Sequence, residues 1–225
     1  MGASMNNAAS LIQDHTAELT TAVGDEPAVL ADIYDEKTNL VIWQRQLHDS
    51  LKQIVEDFTA SRQQPYIAAI CTPSDTLAVM RKALGSSRFD ALADDVSELV
   101  DMFCCLFDLK QAGLRLTVLR DTMCPKFHVD HVPCRLVTTY CGIGTQWLPH
   151  NLVHREKLGI GSAGKTDQES GLYASANDIQ QMACAEVALL KGEGWQGNQN
   201  AGLVHRSPGI PAAESRLLLT LDFND

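Results

Sequence analysis

The chain has 225 residues, with 18 Lys and Arg against 28 Asp and Glu, a formal net charge of −10. That balance disfavours a general nucleic-acid binder, which needs a cationic surface to displace counterions from phosphates. Hydrophobic residues make up 45% and charged residues 20%, a globular rather than disordered composition, and a chain this long buries a core without staples.

Residues 1–39 read as a loose arm, polar and Ala-rich at its start. Helices are expected to dominate residues 40–112. Leu47, Leu51, Ile54, Val55 and Phe58 recur at helical spacing over 45–62. Residues 66–71 form a short apolar run, strand or helix. Thr72-Pro73-Ser74 offers a cap for a helix over 75–84. Phe89, Leu92, Val96, Leu99, Val100, Phe103, Leu106 and Phe107 make a single apolar stripe. That stripe predicts a helix over 88–110, stopped by Gly113. Beyond Gly113 the period becomes two, with Leu114, Leu116 and Val118 alternating with Arg115 and Thr117, which predicts a strand. Further strands are expected over 127–132, 135–141, 187–190, 202–205 and 216–223. A turn is expected at 142–145 and a loop over 155–171. Helices first and seven or eight short strands later is an α+β or barrel pattern. A single domain over residues 1–225 accounts for it.

Seven cysteines are present: Cys71, Cys104, Cys105, Cys124, Cys134, Cys141 and Cys184. An odd set in a chain of this length does not read as a secreted disulfide framework. Free thiols suit a reducing compartment, so a cytoplasmic protein is expected. No basic start followed by an apolar run opens the chain, and no stretch approaches the roughly 18 apolar residues that cross a bilayer. The expected partner is a small-molecule or protein substrate, with neither nucleic acid nor membrane.

The chemistry concentrates in Cys124-Pro125-Lys126-Phe127-His128-Val129-Asp130-His131-Val132-Pro133-Cys134. Residues i and i+2 of a strand share a face, so His128 and Asp130 would aim an imidazole and a carboxylate at one point. His205 ends a later predicted strand, and Arg216 opens the last one. Two histidines and a carboxylate are the donors of the facial triad that holds Fe(II) with open positions. A 2-oxo acid can fill two of those positions, and the planar fork of an arginine suits its distal carboxylate. Two other readings stay open. The three side chains could be hydrogen-bonded residues of a polar strand face. Alternatively, Cys124, His128, His131 and Cys134 could form a closed structural zinc site. His150 and His154 lie four apart but lack the His-Glu-x-x-His pattern. Cys71, Cys104 and Cys105 read as core thiols, while Cys124, Cys134 and Cys141 lie nearer the candidate site.

The second half resembles the double-stranded β-helix of Fe(II)/2-oxoglutarate-dependent oxygenases, specifically the prolyl-hydroxylase-like group. The resemblance rests on His128-Val129-Asp130, Arg135-Leu136-Val137-Thr138-Thr139-Tyr140 and Gly142-Ile143-Gly144-Thr145. Leu190-Lys191-Gly192-Glu193-Gly194, His205 and Arg216 complete it. It implies an α+β fold, a helical N-terminal layer (40–112) packed on a jelly-roll, cupin-like double-stranded β-helix (113–225). It also implies His128, Asp130 and His205 as Fe(II) ligands, Arg216 as the 2-oxoglutarate anchor and Tyr140 as a wall of the co-substrate pocket. Leu218 stands where that group often has Ser or Thr. The whole chain also resembles a bacterial family associated with zinc-homeostasis gene neighbourhoods. The matching residues are Leu30-Ala31-Asp32-Ile33-Tyr34, Val41-Ile42-Trp43-Gln44-Arg45 and the stretch from His128 to Cys134. This second resemblance implies an alternative, a zinc-binding accessory protein without turnover, using the same triad or Cys124, His131 and Cys134. A cupin-like binding module with a vestigial site is a third reading.

Overall fold

The computed structural model describes residues 19–61 and 66–224; residues 1–18 of the expected arm lie outside that range. The strands are β1 (Thr20–Gly24), β2 (Thr38–Trp43), β3 (Tyr66–Cys71), β4 (Ala112–Leu119), β5 (Cys134–Cys141), β6 (Gln146–Leu148), β7 (Gln180–Gln181), β8 (Val187–Lys191), β9 (Val204–Arg206) and β10 (Arg216–Phe223). The α-helices are α1 (Asp49–Ser61), α2 (Thr76–Leu84), α3 (Asp90–Phe107) and the single turn α4 (Asp167–Ser170). A seven-stranded sheet runs β1-β2-β8-β5-β10-β4-β3, and a small sheet runs β7-β6-β9. Within the large sheet only β1 and β2 pair in parallel.

The central strands of the large sheet are covered on both faces, and its side chains sort with period two. On β10, Leu217, Leu219 and Leu221 join Phe58, Met80, Val96 and Phe103 of the helices. Leu218 points the other way, into a second cluster with Leu40, Val137, Leu190 and Leu203, against which Trp147 of β6 packs. The small sheet therefore lies over the face that carries Arg216, Leu218, Thr220 and Asp222.

α3 follows its predicted stripe: Leu92, Ala93, Val96, Leu99, Val100, Phe103 and Cys104 are buried. It ends before Gly113, however. Asp108 takes a left-handed conformation (φ 53°, ψ 41°), and its amide donates to the carbonyls of Cys104 and Cys105. Aspartate is one of the few side chains that tolerate this cap, and Gly113 instead lies inside β4. Phe103 meets Phe107 and Phe223 edge-on, with centroids 5.0 and 5.6 Å away. Phe103→Ala is expected to cost about 3–5 kcal/mol, as for other large aromatic truncations in cores. The check is a lower denaturant midpoint at unchanged slope.

The structure corrects the expected division of the chain. Residues 20–24 of the expected arm form a strand of the large sheet, residues 38–43 form another across the expected boundary between arm and helical cover, and a 3-10 helix at Pro27–Tyr34 buries Leu30 and Ile33. β3 also comes from the expected helical cover. No alternation marks β2 in the sequence, because its residues from Thr38 to Ile42 are all buried and a strand covered on both faces has no polar side. The expected strand over 127–132 does not form. His128 makes one isolated bridge with His205, and the carbonyls of Asp130 and Val132 accept from the amides of Glu193 and Gly194 in a neighbouring turn. Among the described residues no helix is long and apolar enough to cross a membrane.

Candidate metal centre

His128 and Asp130 lie on the connection from β4 to β5, and His205 lies on β9. The His128 and His205 amides each donate to the other residue's carbonyl, both at 3.0 Å. This reciprocal pair places the two side chains alongside each other, with ring centroids 4.6 Å apart. Asp130 reaches the same point, with Oδ1 3.8 Å from His128 Nε2 and Oδ2 3.4 Å from His205 Nε2. The three ligand atoms all lie within 4.8 Å of one another. Among the described residues, this is where three His, Cys, Asp or Glu ligand atoms converge.

The outer nitrogens orient the rings. His128 Nδ1 is 3.0 Å from the Lys126 carbonyl, and His205 Nδ1 is 3.2 Å from the Leu203 carbonyl. A carbonyl only accepts, so each Nδ1 carries the proton and each Nε2 offers its lone pair to the cluster. This is the usual support of a metal-binding imidazole. Burial pushes the His205 pKa down, against the pull of Asp130, and favours the neutral ring. The donor set therefore fits a divalent metal.

Arg135 of β5 braces the carboxylate. Its Nη1 donates to Asp130 Oδ2 at 2.8 Å, and its Nε and Nη2 donate to Asp222 Oδ1 and Oδ2 at 2.7 and 3.1 Å. Arg115 of β4 also donates to Asp222. A charged row thus crosses β4, β10 and β5 and ends on Asp130. Glycines hold the metal-bearing loop from behind. A Cβ on Gly192 would collide with the carbonyls of Val132 and Asp130. Gly192→Ala is expected to push the loop outward, costing about 1–3 kcal/mol of stability as overpacking does. Metal affinity should fall by roughly 10- to 100-fold, the range for a mispositioned ligand shell. Thermal melts and metal titration check the two effects.

Arg216 opens β10 and is 1% exposed. Its Nε and Nη2 donate to Thr139 Oγ1 at 3.1 and 2.9 Å, and Nη2 also donates to Thr145 Oγ1 at 2.7 Å. Among the described residues no carboxylate pairs with it, and burial alone pushes its pKa down to about 10. It occupies the same sheet face as Asp222 and Arg135. Hydroxyls satisfy the hydrogen bonds of a buried guanidinium but leave its charge uncompensated.

Residues 24–222 match the family described as "Protein of unknown function (DUF1826)". The chain belongs to the DUF1826 family. His128, Asp130, Arg135, His205, Arg216 and Asp222 all fall inside that span. Comparison with curated proteins gives no match. Among solved structures, a full-length Neurospora crassa protein in complex with alpha-KG is similar over 83% of this chain and 74% of its own, at 10% identity and TM-score 0.43. A Pseudomonas putida prolyl-4-hydroxylase is similar over 88% of this chain and 97% of its own, at 11% identity and TM-score 0.43.

Two sequence expectations fail in this DUF1826 chain. Tyr140 does not line a pocket with Arg216. Leu217 and Leu218 of β10 face Cys141 and Thr139, so Tyr140 is the extra residue of a bulge. It turns to the helix side, where its hydroxyl donates to Asp95 Oδ2 at 2.5 Å, and Arg45 grips Asp95 at 2.7 and 3.0 Å. Nor does the Cys/His zinc set assemble. Cys124 is exposed, whereas Cys134 is fully buried in the helix-side core, its thiol pushed up by burial. His131 extends outward, with Nδ1 3.3 Å from Glu193. Cys134 is the first residue of β5, and the strand's alternation sends it to the helices. Of the other histidines, His150 Nδ1 lies 3.1 Å from Arg155 Nη2, and His154 lies in the open beside Glu156.

The sequence reading gave Arg135, Thr139 and Thr145 no role as partners of the site. All three stand inside the motifs quoted for the resemblance, but their use depends on which strands become neighbours. Asp222 faces Arg135 because β10 pairs with β5 in that register.

Proposed function

We propose that this chain is a non-haem Fe(II)/2-oxoglutarate-dependent oxygenase acting on a small-molecule or protein substrate. In this reading the two sheets are the walls of a double-stranded β-helix. The observation that carries it is the convergence of His128 Nε2, His205 Nε2 and the Asp130 carboxylate, with both Nδ1 atoms tied to carbonyls. His128, Asp130 and His205 would hold the iron. Iron(II) in such a site leaves positions for a 2-oxo acid and dioxygen and supplies oxidation of a substrate C–H bond.

The chain's own groups do the rest. Arg135 neutralises Asp130 and fixes its orientation. Arg216 waits in the interior for an anion, and the distal carboxylate of 2-oxoglutarate fits its fork. Val137, Leu203 and Leu218 give that interior apolar walls that exclude water. A zinc-holding protein without turnover would use the same three ligands, since imidazole and carboxylate also suit zinc. It would have no use for the buried cation of Arg216, and this favours the oxygenase reading. In the test, Fe(II) is added anaerobically, followed by 2-oxoglutarate. A visible metal-to-ligand charge-transfer band saturating at one equivalent per chain is expected. The reading fails if no band forms.

A further inference from the structure

β3 closes the large sheet on the side away from β1. It pairs with β4 along one edge, and among the described residues no strand lies on the other. An open edge is a template for another chain, and proteins normally blunt it with charge, proline or a bulge. β3 reads Tyr-Ile-Ala-Ala-Ile-Cys and runs in unbroken register with β4, so it has none of these. The edge at β1 is different, being five residues long with a register irregularity between Thr20 and Thr21. Tyr66 and Ile70 are 64% and 59% exposed.

Tyr66, Ala68 and Ile70 share a groove of about 500 Å3 with Gly113, Arg115 and Asp222. Ala68 stands opposite Arg115 and Ile70 opposite Gly113, so small residues leave the floor open at both positions. Arg115 is 44% exposed in its side chain. It gives one amino group to Asp222 and places Nε 3.5 Å from Thr220 Oγ1. A guanidinium has five donors, so Arg115 retains several for a further carboxylate.

We propose that β3 receives an extended acidic segment of a partner protein as an eighth strand of the sheet. A carboxylate side chain opposite Ala68 meets Arg115, and apolar side chains two residues to either side pack on Tyr66 and Ile70. Strand addition of this kind draws affinity from main-chain hydrogen bonds and specificity from alternate side chains. A second copy of this chain fits less well. β3 carries no acidic residue, so the strand that self-pairing would place opposite Ala68 offers Arg115 no carboxylate. The docked segment would lie at the outer end of the row Arg115–Asp222–Arg135–Asp130, whose inner end is the metal cluster. The surface itself does not depend on the metal reading.

Fluorescein-labelled Thr-Val-Thr-Glu-Thr-Val-Thr-amide, measured by anisotropy against the full chain, tests the proposal. The glutamate peptide is expected to bind, and the same peptide with lysine in place of glutamate at least about tenfold more weakly. Arg115→Glu should reverse that preference. Gly113→Val should fill the groove floor and weaken the glutamate peptide by at least about tenfold. A Cβ there meets only Asp222 O at 3.7 Å and Asn224 Cβ at 3.8 Å, so the fold is kept. N-methylation of alternate peptide amides should abolish binding on the paired edge. Any of three results overturns the proposal: no binding of the glutamate peptide, equal binding of every N-methylated version, or a dimer in solution that Ile70→Thr dissociates.

Discussion

Replacing His205 with alanine is expected to remove the metal from the protein. Of the three ligand side chains, His205 is the most buried, and its Nε2 sits 3.4 Å from Asp130 Oδ2. Loss of an outer-shell partner alone weakens metal sites by roughly 10- to 100-fold. Loss of a ligand from a three-donor site should therefore exceed about 100-fold. The backbone bridge between residues 128 and 205 uses main-chain atoms, so it survives the substitution and the fold should persist. The second readout is stability. A metal at 100 times its Kd raises folding stability by about 2.7 kcal/mol. The wild-type melting temperature should rise on adding Fe(II) or Co(II), and that of His205→Ala should not. Cys124→Ala and Cys134→Ala should retain metal, because one thiol is exposed and the other faces the helices. Metal retained by His205→Ala but lost from the cysteine variants would sink the site and revive the Cys/His zinc reading.

The grouping of His128, Asp130 and His205 is easier to read from the sequence than the strand order, for a physical reason. His128, Asp130, His205 and Arg216 are chemically conspicuous, and their order along the chain is legible without knowing which strands touch. α3, β4 and β10 also announce themselves, each through one strong period. What failed depended on neighbours. β2 is buried on both faces by elements distant in sequence, so it shows no alternation. Tyr140 shares the parity of Cys134 and Leu136 and so faces the helices, and only the neighbours of β5 reveal which parity faces the site. Cys134 sits four residues from Asp130 yet on the opposite side of the sheet, because β5 begins there. β6 and β7 are three and two residues long, too short for any period, and they exist through pairing alone. The Arg135–Asp222 brace joins residues 87 positions apart. It is a product of sheet order rather than of either segment.

Arg216→Met is expected to separate binding from stability. Arg216 is buried with three hydrogen bonds to two threonine hydroxyls and, among the described residues, no carboxylate partner. Its pKa of about 10 keeps it cationic at neutral pH. Buried charge is costly, and replacing buried ionic groups by apolar ones of similar volume is often neutral or stabilising by about 1–4 kcal/mol. Methionine is unbranched and fills irregular space. The ligand-free Met variant should therefore melt no lower than wild type. Binding should move the other way. Removing one partner of a buried charge pair costs about 2–5 kcal/mol, so 2-oxoglutarate affinity should fall at least about 30-fold at 1.4 kcal/mol per decade. Metal affinity should stay unchanged, because Arg216 touches none of the three ligands. Arg216→Lys keeps the charge but not the fork and should fall between the two. A Met variant that binds 2-oxoglutarate like wild type would detach Arg216 from the co-substrate. A Met variant that unfolds would make the arginine a structural brace. The expected pattern, undiminished stability with lost binding, is what a cation retained for an absent anion produces.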